Sequence, residues 1–315
     1  MGFSVTTLGT ASALPLPARF STAHLLNADE RFYLIDCGEG TQIQLRRFKT
    51  KFQRIRHIFI SHLHGDHVFG LPGLLSTFSM SGRKMDLHIY AHKELKKILM
   101  PLLYQFVPNM TFHLEFHPIQ SRETEMILDD GKLQVHSFPL HHRIPACGFF
   151  FREIPVPRNI RKECIALYQI PLKSIPSIKA GGDYTTSGGV RIPNEKLTFP
   201  PLPPRSYAFC SDTAYSESFI PLIAGAGLLY HEATFLSSDT SMAERTFHST
   251  ATDAARIAEK AGVEKLILGH YSSRYKDLTD FEKEAMAIFP DVVAAKDGDC
   301  FEIPREKIRM DANLP

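Results

Sequence analysis

Seven consecutive residues, Ser61 to His67 (SHLHGDH), hold three histidines and an aspartate. Imidazole and carboxylate donors without thiolate suit zinc, with manganese or iron as competing ions. In an extended-to-turn segment His62 and His64 project to the same side. Gly65 lets the chain bend, so that Asp66 and His67 face a second point. Two metals roughly 3.5 to 4 Å apart would then share the site, an arrangement suited to hydrolysing phosphate esters. Three further donors lie far away in sequence: His142, Asp212 and His270 each fall just where an apolar run stops. Strand ends gather at one edge of a sheet, so four distant segments could deliver five histidines and two carboxylates to one place. The plainer account, solvated loop histidines, leaves those strand-end positions without a reason.

The elements that must position these residues are short apolar or β-branched runs. FSVTTLG, RFYLID, HIFISH, DLHIYA, LQVHSFPL, CGFFFRE, SYAFCSD, GLLYHEATF and KLILGH all read as strands. Leu71, Leu74, Leu75 and Phe78 fall at i, i+3, i+4 and i+7, one face of a helix beginning near Gly70-Leu71-Pro72. A second helix follows Thr250 as cap, buries Ala254, Ile257, Ala258 and Ala261, and ends at Gly262. Many successive strands with few long helices predict an α+β architecture, two mixed sheets packed together with helices outside. One segment breaks this grammar. From Ile154 to Arg205 there are nine prolines and eight Lys/Arg against three Asp/Glu. That composition reads as an arm inserted over 154–205 in a single domain spanning 1–315.

With 315 residues, 43% of them hydrophobic, the chain can bury a substantial core. Its 36 basic and 34 acidic residues leave a net charge of only +2, so any case for nucleic acid rests on local clustering. Five scattered cysteines, with no Cys-x-x-Cys pair, argue against a disulfide framework or a thiolate zinc site. The opening MGFSVT reads as a strand, although it also fits the loose myristoylation pattern. The absence of a signal-like start, or of any apolar run approaching ~18 residues, predicts a cytoplasmic protein with no membrane partner.

His-x-His-x-Asp-His, together with Asp36 in LIDCGEGTQ, His142, Asp212 and His270, resembles the metallo-β-lactamase superfamily. More narrowly, LGTASALP, SHLHGDHVFGLPGLL, HHRIPACGFFF, SDTAYSE, HEATF and FHSTATDAARIAEKAGVEKLILGHYSSRY resemble the ribonuclease Z family of tRNA 3′-processing endonucleases, in that family's order. The resemblance implies an αββα sandwich, two Zn2+ ions (Mn2+ or Fe2+ as substitutes), precursor tRNA as substrate and a homodimer. It implies that His62, His64 and His142 hold one zinc and Asp66, His67 and His270 the other, with Asp212 bridging. His142 is favoured over His141 because it precedes Arg-Ile-Pro-Ala-Cys-Gly as the family's ligand precedes its Gly-aromatic strand. Asp36 would buttress the site from behind.

A water made acidic by the metals would attack phosphorus, with Asp66 orienting it or accepting its proton. His248 resembles the family's proton donor to the departing ribose 3′-oxygen, and Glu232 could hold its imidazole charged. For RNA contact, Arg46 to Arg56 carries six cations and no acid, with Arg46, Arg47 and Lys49 as candidates beside Arg19. In the family an arm at this position grips tRNA, which makes Arg158, Arg161, Lys162, Lys173 and Lys179 candidates, with Tyr168 packing or stacking. Two departures concern this equipment: the arm lacks Gly-Pro after its Ile-Pro, and Pro17 in PLPAR stands where bacterial members carry a lysine. A phosphodiesterase or esterase acting on small phosphodiesters, aryl sulfate esters or other RNAs, or a non-catalytic RNA-binding protein, would be compatible with the same fold.

Overall fold

Alternation decides which side of a strand meets the core. Along Phe3–Gly9, Phe3 and Val5 are buried while Ser4 and Thr6 are partly exposed. Strands Leu228–Glu232 and Leu266–Gly269 are buried at every residue, the pattern of parallel strands covered on both faces. The computed structural model describes residues 2–14 and 16–305. Met1, Pro15 and residues 306–315 of the expected 1–315 domain lie outside the described residues.

Contacts divide the described chain into two compact units. The first comprises residues up to Arg152 together with Ser206–Ile303, and Glu153–Arg205 with Pro304 and Arg305 form the second. In the first unit, one seven-stranded sheet takes β1 (Phe3–Gly9), β2 (Ala23–Ala28), β3 (Arg31–Ile35), β4 (Ile55–Phe59), β5 (Leu87–Ala91) and β6 (Leu114–Pro118) in that order. Strand Cys300–Glu302 pairs on the outer side of β1. β1 to β3 are antiparallel, and β3 to β6 run parallel. The second sheet begins with β7 (Glu125–Asp129), β8 (Leu133–Leu140) and β9 (Ala146–Glu153), then adds Ser206–Cys210, Leu228–Glu232, Leu266–Gly269 and Val292–Ala294.

Three apolar layers result. Phe59 and Tyr90 of the first sheet meet Phe149, Phe151, Phe209 and Tyr230 of the second in a core between the sheets. Helices Thr41–Arg47, Leu71–Met80 and Glu94–Phe106 cover the outside of the first sheet, and Ala251–Ala261 with Thr279–Met286 cover the second. The arrangement is an αββα sandwich of two mixed sheets. Helix Ala251–Ala261 has the expected ends: Thr250 and Asp253 form a reciprocal capping box, and Gly262 closes it at φ 59°. All five cysteines are free.

The structure differs from the sequence reading at the margins. Expected strand GLLYHEATF stops at Glu232. Strands β2, β6 and β7 carried no clear signal; β6 and β7 are the half-exposed edges of their sheets, and charged residues interrupt or bracket their apolar ones. The basic run Arg46–Arg56 crosses a helix end, a 3-10 turn and the start of β4.

The second unit has its own small core of Cys164, Ile170, Ile178, Ile192 and Leu197, with Tyr168 packed against it. Two short ladders, Asn159–Ile160 with Thr198–Phe199 and Tyr184–Thr185 with Arg191–Ile192, frame it. Asn194 pins the loops by donating to the carbonyls of Ile178 and Gly182, both at 2.7 Å.

Candidate metal centre and active site

The turn after β4 carries the first donors. His62 leaves the sheet fully buried, His64 caps the short helix Gly65–Val68, and that helix presents Asp66 and His67. The chain passes very close to itself here: a Cβ on Gly38 would lie 2.3 Å from the carbonyl oxygen of Asp66. His142 follows β8, Asp212 follows Ser206–Cys210, and His270 follows Leu266–Gly269 at φ 61°. A left-handed conformation at a non-glycine residue costs roughly 1–2 kcal/mol, and such positions cluster at functional sites. Asp36, at φ 54°, is another.

Seven side chains from four segments converge in two groups. His62, His64, His142 and Asp212 place one donor atom each within 4.8 Å of one another, and so do Asp66, His67, Asp212 and His270. Asp212 belongs to both. In the first group, His64 Nδ1 lies 3.1 Å from His62 Nε2 and 3.2 Å from His142 Nε2, and His62 Nε2 lies 3.4 Å from Asp212 Oδ2. In the second, Asp212 Oδ1 lies 3.1 Å from His270 Nε2 and 3.3 Å from His67 Nε2. His141 is exposed with its ring on Phe247, so His142 is the member of that pair facing the cluster.

The far nitrogens of His67, His142 and His270 are already engaged, which turns their near ones toward the centre. Asp36 Oδ2 accepts from His67 Nδ1 at 2.7 Å and from Ser61 Oγ at 2.8 Å, while Asp36 Oδ1 accepts from the Ser61 amide at 2.7 Å. His142 Nδ1 donates to the carbonyl of Phe247 at 2.9 Å, and His270 Nδ1 pairs with Thr234 Oγ1 at 2.9 Å. Ser61, Thr234 and the Phe247 carbonyl were not singled out from sequence. Thr234 lay in view, two residues beyond Glu232.

The donors fit a metal on evidence internal to the site. His67 Nε2 and Asp212 Oδ1 are buried with no hydrogen-bond partner, a costly state unless a cation meets them. Burial pushes His142 down to about 4 and lowers His62 and His64, so all three stand as neutral donors. Burial opposes the charge on Asp212, yet the imidazoles of His270, His67 and His62 hold its carboxyl well below the usual range. Burial likewise opposes a charge on His67, but Asp212, Asp66 and Asp36 hold it well above its ordinary value. The three carboxylates call for positive charge at this point.

A cavity of about 570 Å³ opens on the donors, lined by His64, Asp66, His142, Asp212, His248 and His270 among others. Exposed Phe69 stands at its wall. Asp66 Oδ2 also accepts the amide of Ala13 at 2.8 Å, which ties the N-terminal loop to the site. Beside the donors, Glu232 Oε1 takes His248 Nδ1 at 2.8 Å and the Thr213 amide at 3.0 Å. Its Oε2 takes the amide of Thr234 at 2.9 Å and that residue's hydroxyl at 2.7 Å. Burial works against a charged His248, but the Glu232 carboxylate wins and pushes it up to about 9.

The cationic candidates divide. Arg46, Arg47 and Lys49 are exposed, as are Lys162 and Lys173, and Lys179 is half-buried. Arg19 and Arg47 line a second cavity with Lys276, Lys283 and Lys296. Arg158 is engaged by Thr198 Oγ1 at 2.8 Å, and the Arg161 guanidinium sits 4.2 Å from the Phe199 ring centroid. Both keep their charge while these contacts orient them.

A family description for the anti-Pycsar protein Apyc1 matches residues 3–153. Ribonuclease Z of Parabacteroides distasonis is 46% identical over 296 residues, 94% of this chain and 97% of that protein. Ribonuclease Z of Phocaeicola vulgatus is 47% identical over 295 residues, 94% of this chain and 96% of that one. Among solved structures, the short form of human tRNase Z superposes with a TM-score of 0.70 at 28% identity, covering 96% of this chain and 99% of its own. The metallo-β-lactamase fold protein YhfI from Bacillus subtilis, at 20% identity and a TM-score of 0.67, shares the fold over 96% of this chain. Identity near one half along almost the whole of both chains is kinship rather than convergence on a metal site, and this protein belongs to the ribonuclease Z family.

Proposed function

We propose that this chain is a metal-dependent endoribonuclease that removes the 3′ trailer from precursor tRNA, hydrolysing one phosphodiester and leaving a 3′-hydroxyl on the tRNA. The observation that carries the reading is the pair of donor groups meeting at Asp212, beside a cavity that also holds the His248–Glu232 pair. His62, His64 and His142 would hold one ion and Asp66, His67 and His270 the other, with Asp212 between them. Zn2+ is the ion proposed, with Mn2+ or Fe2+ as substitutes. When bound, such a pair supplies Lewis-acid charge beside the phosphoryl group and lowers the pKa of nearby water.

The protein's own groups do the rest. Asp66, held by the Ala13 amide, would orient the attacking water or take its proton. Glu232 occupies His248 Nδ1 and keeps that imidazole protonated at neutral pH. His248 can then hand a proton to the departing ribose 3′-oxygen, a poor leaving group without one. Asp36 holds His67 in the one orientation that points Nε2 at Asp66 and Asp212. Phosphates of the folded RNA fall to the exposed cations, Arg46, Arg47, Lys49, Lys162 and Lys173 foremost, with Lys179 and the cavity residue Arg19 beside them. The reading includes a homodimer, on the family resemblance, and a cytoplasmic protein. Among the described residues no helix is long and apolar enough to cross a membrane.

Cleavage of a precursor tRNA by wild-type protein, by His64→Ala and by a chain lacking residues 158–200 tests this. Wild-type should release a trailer and a 3′-hydroxyl tRNA, and His64→Ala should not. The shortened chain should keep hydrolysing bis(p-nitrophenyl) phosphate while losing tRNA cleavage. Turnover of the small diester with none of precursor tRNA in the wild type would move the substrate to small phosphodiesters.

A further inference from the structure

Three metal-type donors meet elsewhere, at the β6 edge of the first sheet. In the parallel ladder His88 lies opposite Glu115 and Tyr90 opposite His117. Side chains two residues apart share a face, so His88 and Tyr90 of β5 stand on the same side as Glu115 and His117 of β6. Tyr90 belongs to the core between the sheets, which makes this the inward face. Yet the side chains of His88, His117 and Glu115 are 27%, 34% and 49% exposed. Polar donors occupy the rim of a sandwich where apolar residues would ordinarily continue the core.

Their atoms are spaced as ligands of one ion. His88 Nδ1 lies 3.0 Å from His117 Nε2 and 3.3 Å from Glu115 Oε2, and His117 Nε2 lies 3.8 Å from Glu115 Oε1. A tetrahedral zinc with bonds near 2.0–2.1 Å has ligand–ligand edges of about 3.3–3.4 Å. The donors of the first catalytic group are spaced comparably, 3.1 to 3.8 Å among His62, His64, His142 and Asp212. Both imidazoles are also preset by packing. His117 stacks on buried Tyr90 at 4.4 Å and 12°, and His88 stacks on His57 at 5.1 Å and 18°. Ligands held this way lose little freedom when an ion arrives. None of the three belongs to the groups that share Asp212.

We propose that His88, Glu115 and His117 form a third metal site, which takes a divalent zinc-class ion on two imidazoles and a carboxylate, with solvent completing the shell. The ion tacks edge strand β6 to β5, a strand otherwise held from one side only. The site stands independently of the activity proposed above.

Zinc bound at micromolar free Zn2+ is counted by equilibrium dialysis and elemental analysis on the full chain, on His117→Gln and on Glu115→Gln. The wild type should bind one ion more than either variant. Both variants should cleave precursor tRNA at the wild-type rate, because neither residue lines the catalytic cavity. Zinc should slow amide exchange along Leu114–Pro118 in the wild type and leave it unchanged in His117→Gln. Equal zinc content in all three proteins would overturn the proposal and leave the histidines as a hydrogen-bonded pair. Should a variant fail to fold, zinc-edge anomalous diffraction from wild-type crystals decides: a peak between the three side chains supports the site, and its absence rejects it.

Discussion

Replacing Glu232 with glutamine separates proton delivery from the rest of the reaction. The carboxylate is fully buried and accepts four hydrogen bonds, two on each oxygen. An amide keeps one accepting oxygen and turns an NH2 toward two donors. If the oxygen stays with His248 and the Thr213 amide, the NH2 confronts the Thr234 amide and hydroxyl. An unsatisfied buried donor costs about 1–3 kcal/mol, so the variant loses some stability and must be assayed well below its melting transition. The catalytic loss has another origin. Without the Glu232 carboxylate only the smaller pulls of Asp212 and Asp66 oppose the burial that drives His248 toward its neutral form, and the departing oxygen loses its main proton source. General acid catalysis contributes about 10²–10⁴-fold, or about 3–5 kcal/mol of barrier. Single-turnover cleavage of precursor tRNA by Glu232→Gln should therefore slow by about that factor, and His248→Ala should slow similarly. The double variant should be little worse than either, because the two residues act as one unit. On bis(p-nitrophenyl) phosphate, whose phenolate leaves without a proton, both single variants should stay within about tenfold of wild type. Equal losses on the two substrates would refute the assignment and make the pair a structural brace.

Asp36→Asn keeps the left-handed backbone, which asparagine tolerates, but weakens the hold on His67 and the Ser61 turn. Metal affinity, measured by zinc titration of activity, should fall about 10–100-fold and recover at higher zinc. Away from the site, Asp130 accepts from the Tyr33 hydroxyl at 2.7 Å, Arg31 at 2.6 Å and the amides of Leu133 and Lys132. Burial opposes its charge, but these donors lower its pKa below 3.8. Its stabilisation is therefore present above the unfolded-state value and is lost as pH falls through the lowered folded-state value. Asp130→Asn should cost about 1–3 kcal/mol at pH 7 and give a shallower acid limb in denaturant melts. Reversing Lys162 and Lys173 to glutamate should raise KM for precursor tRNA and reduce the salt slope by about one per lysine lost, leaving bis(p-nitrophenyl) phosphate hydrolysis unchanged.

The donors were legible because each stands where an apolar run ends, and the runs themselves announce strands. His62 after β4, His142 after β8 and His270 after Leu266–Gly269 follow that rule. What orients the donors was harder to read. Thr234 and the Phe247 carbonyl hold rings 36 and 105 residues away, contacts that only the folded chain creates. The edges escaped for a different reason: β6 and β7 are short and half-exposed, and their apolar residues are interrupted by Glu115 or bracketed by Glu125 and Asp129. Charge runs mislead in the same way. Of the cations from Arg46 to Arg56, Lys51 and Arg54 both pair with Glu30, at 2.6 and 2.7 Å, and nothing in the local sequence marks that distant partner. Within the second unit, composition showed a basic, proline-rich stretch but not that Arg205 would be buried on Glu153 at 2.6 Å.

Asp212 is shared by both donor groups, and precursor tRNA cleavage by Asp212→Ala in excess zinc tests that role most directly. A residue serving both donor groups should be indispensable. The loss should exceed the roughly 10–100-fold typical of a supporting side chain and should not be recovered by added metal. Cleavage within tenfold of wild type, or full recovery at high zinc, would contradict it.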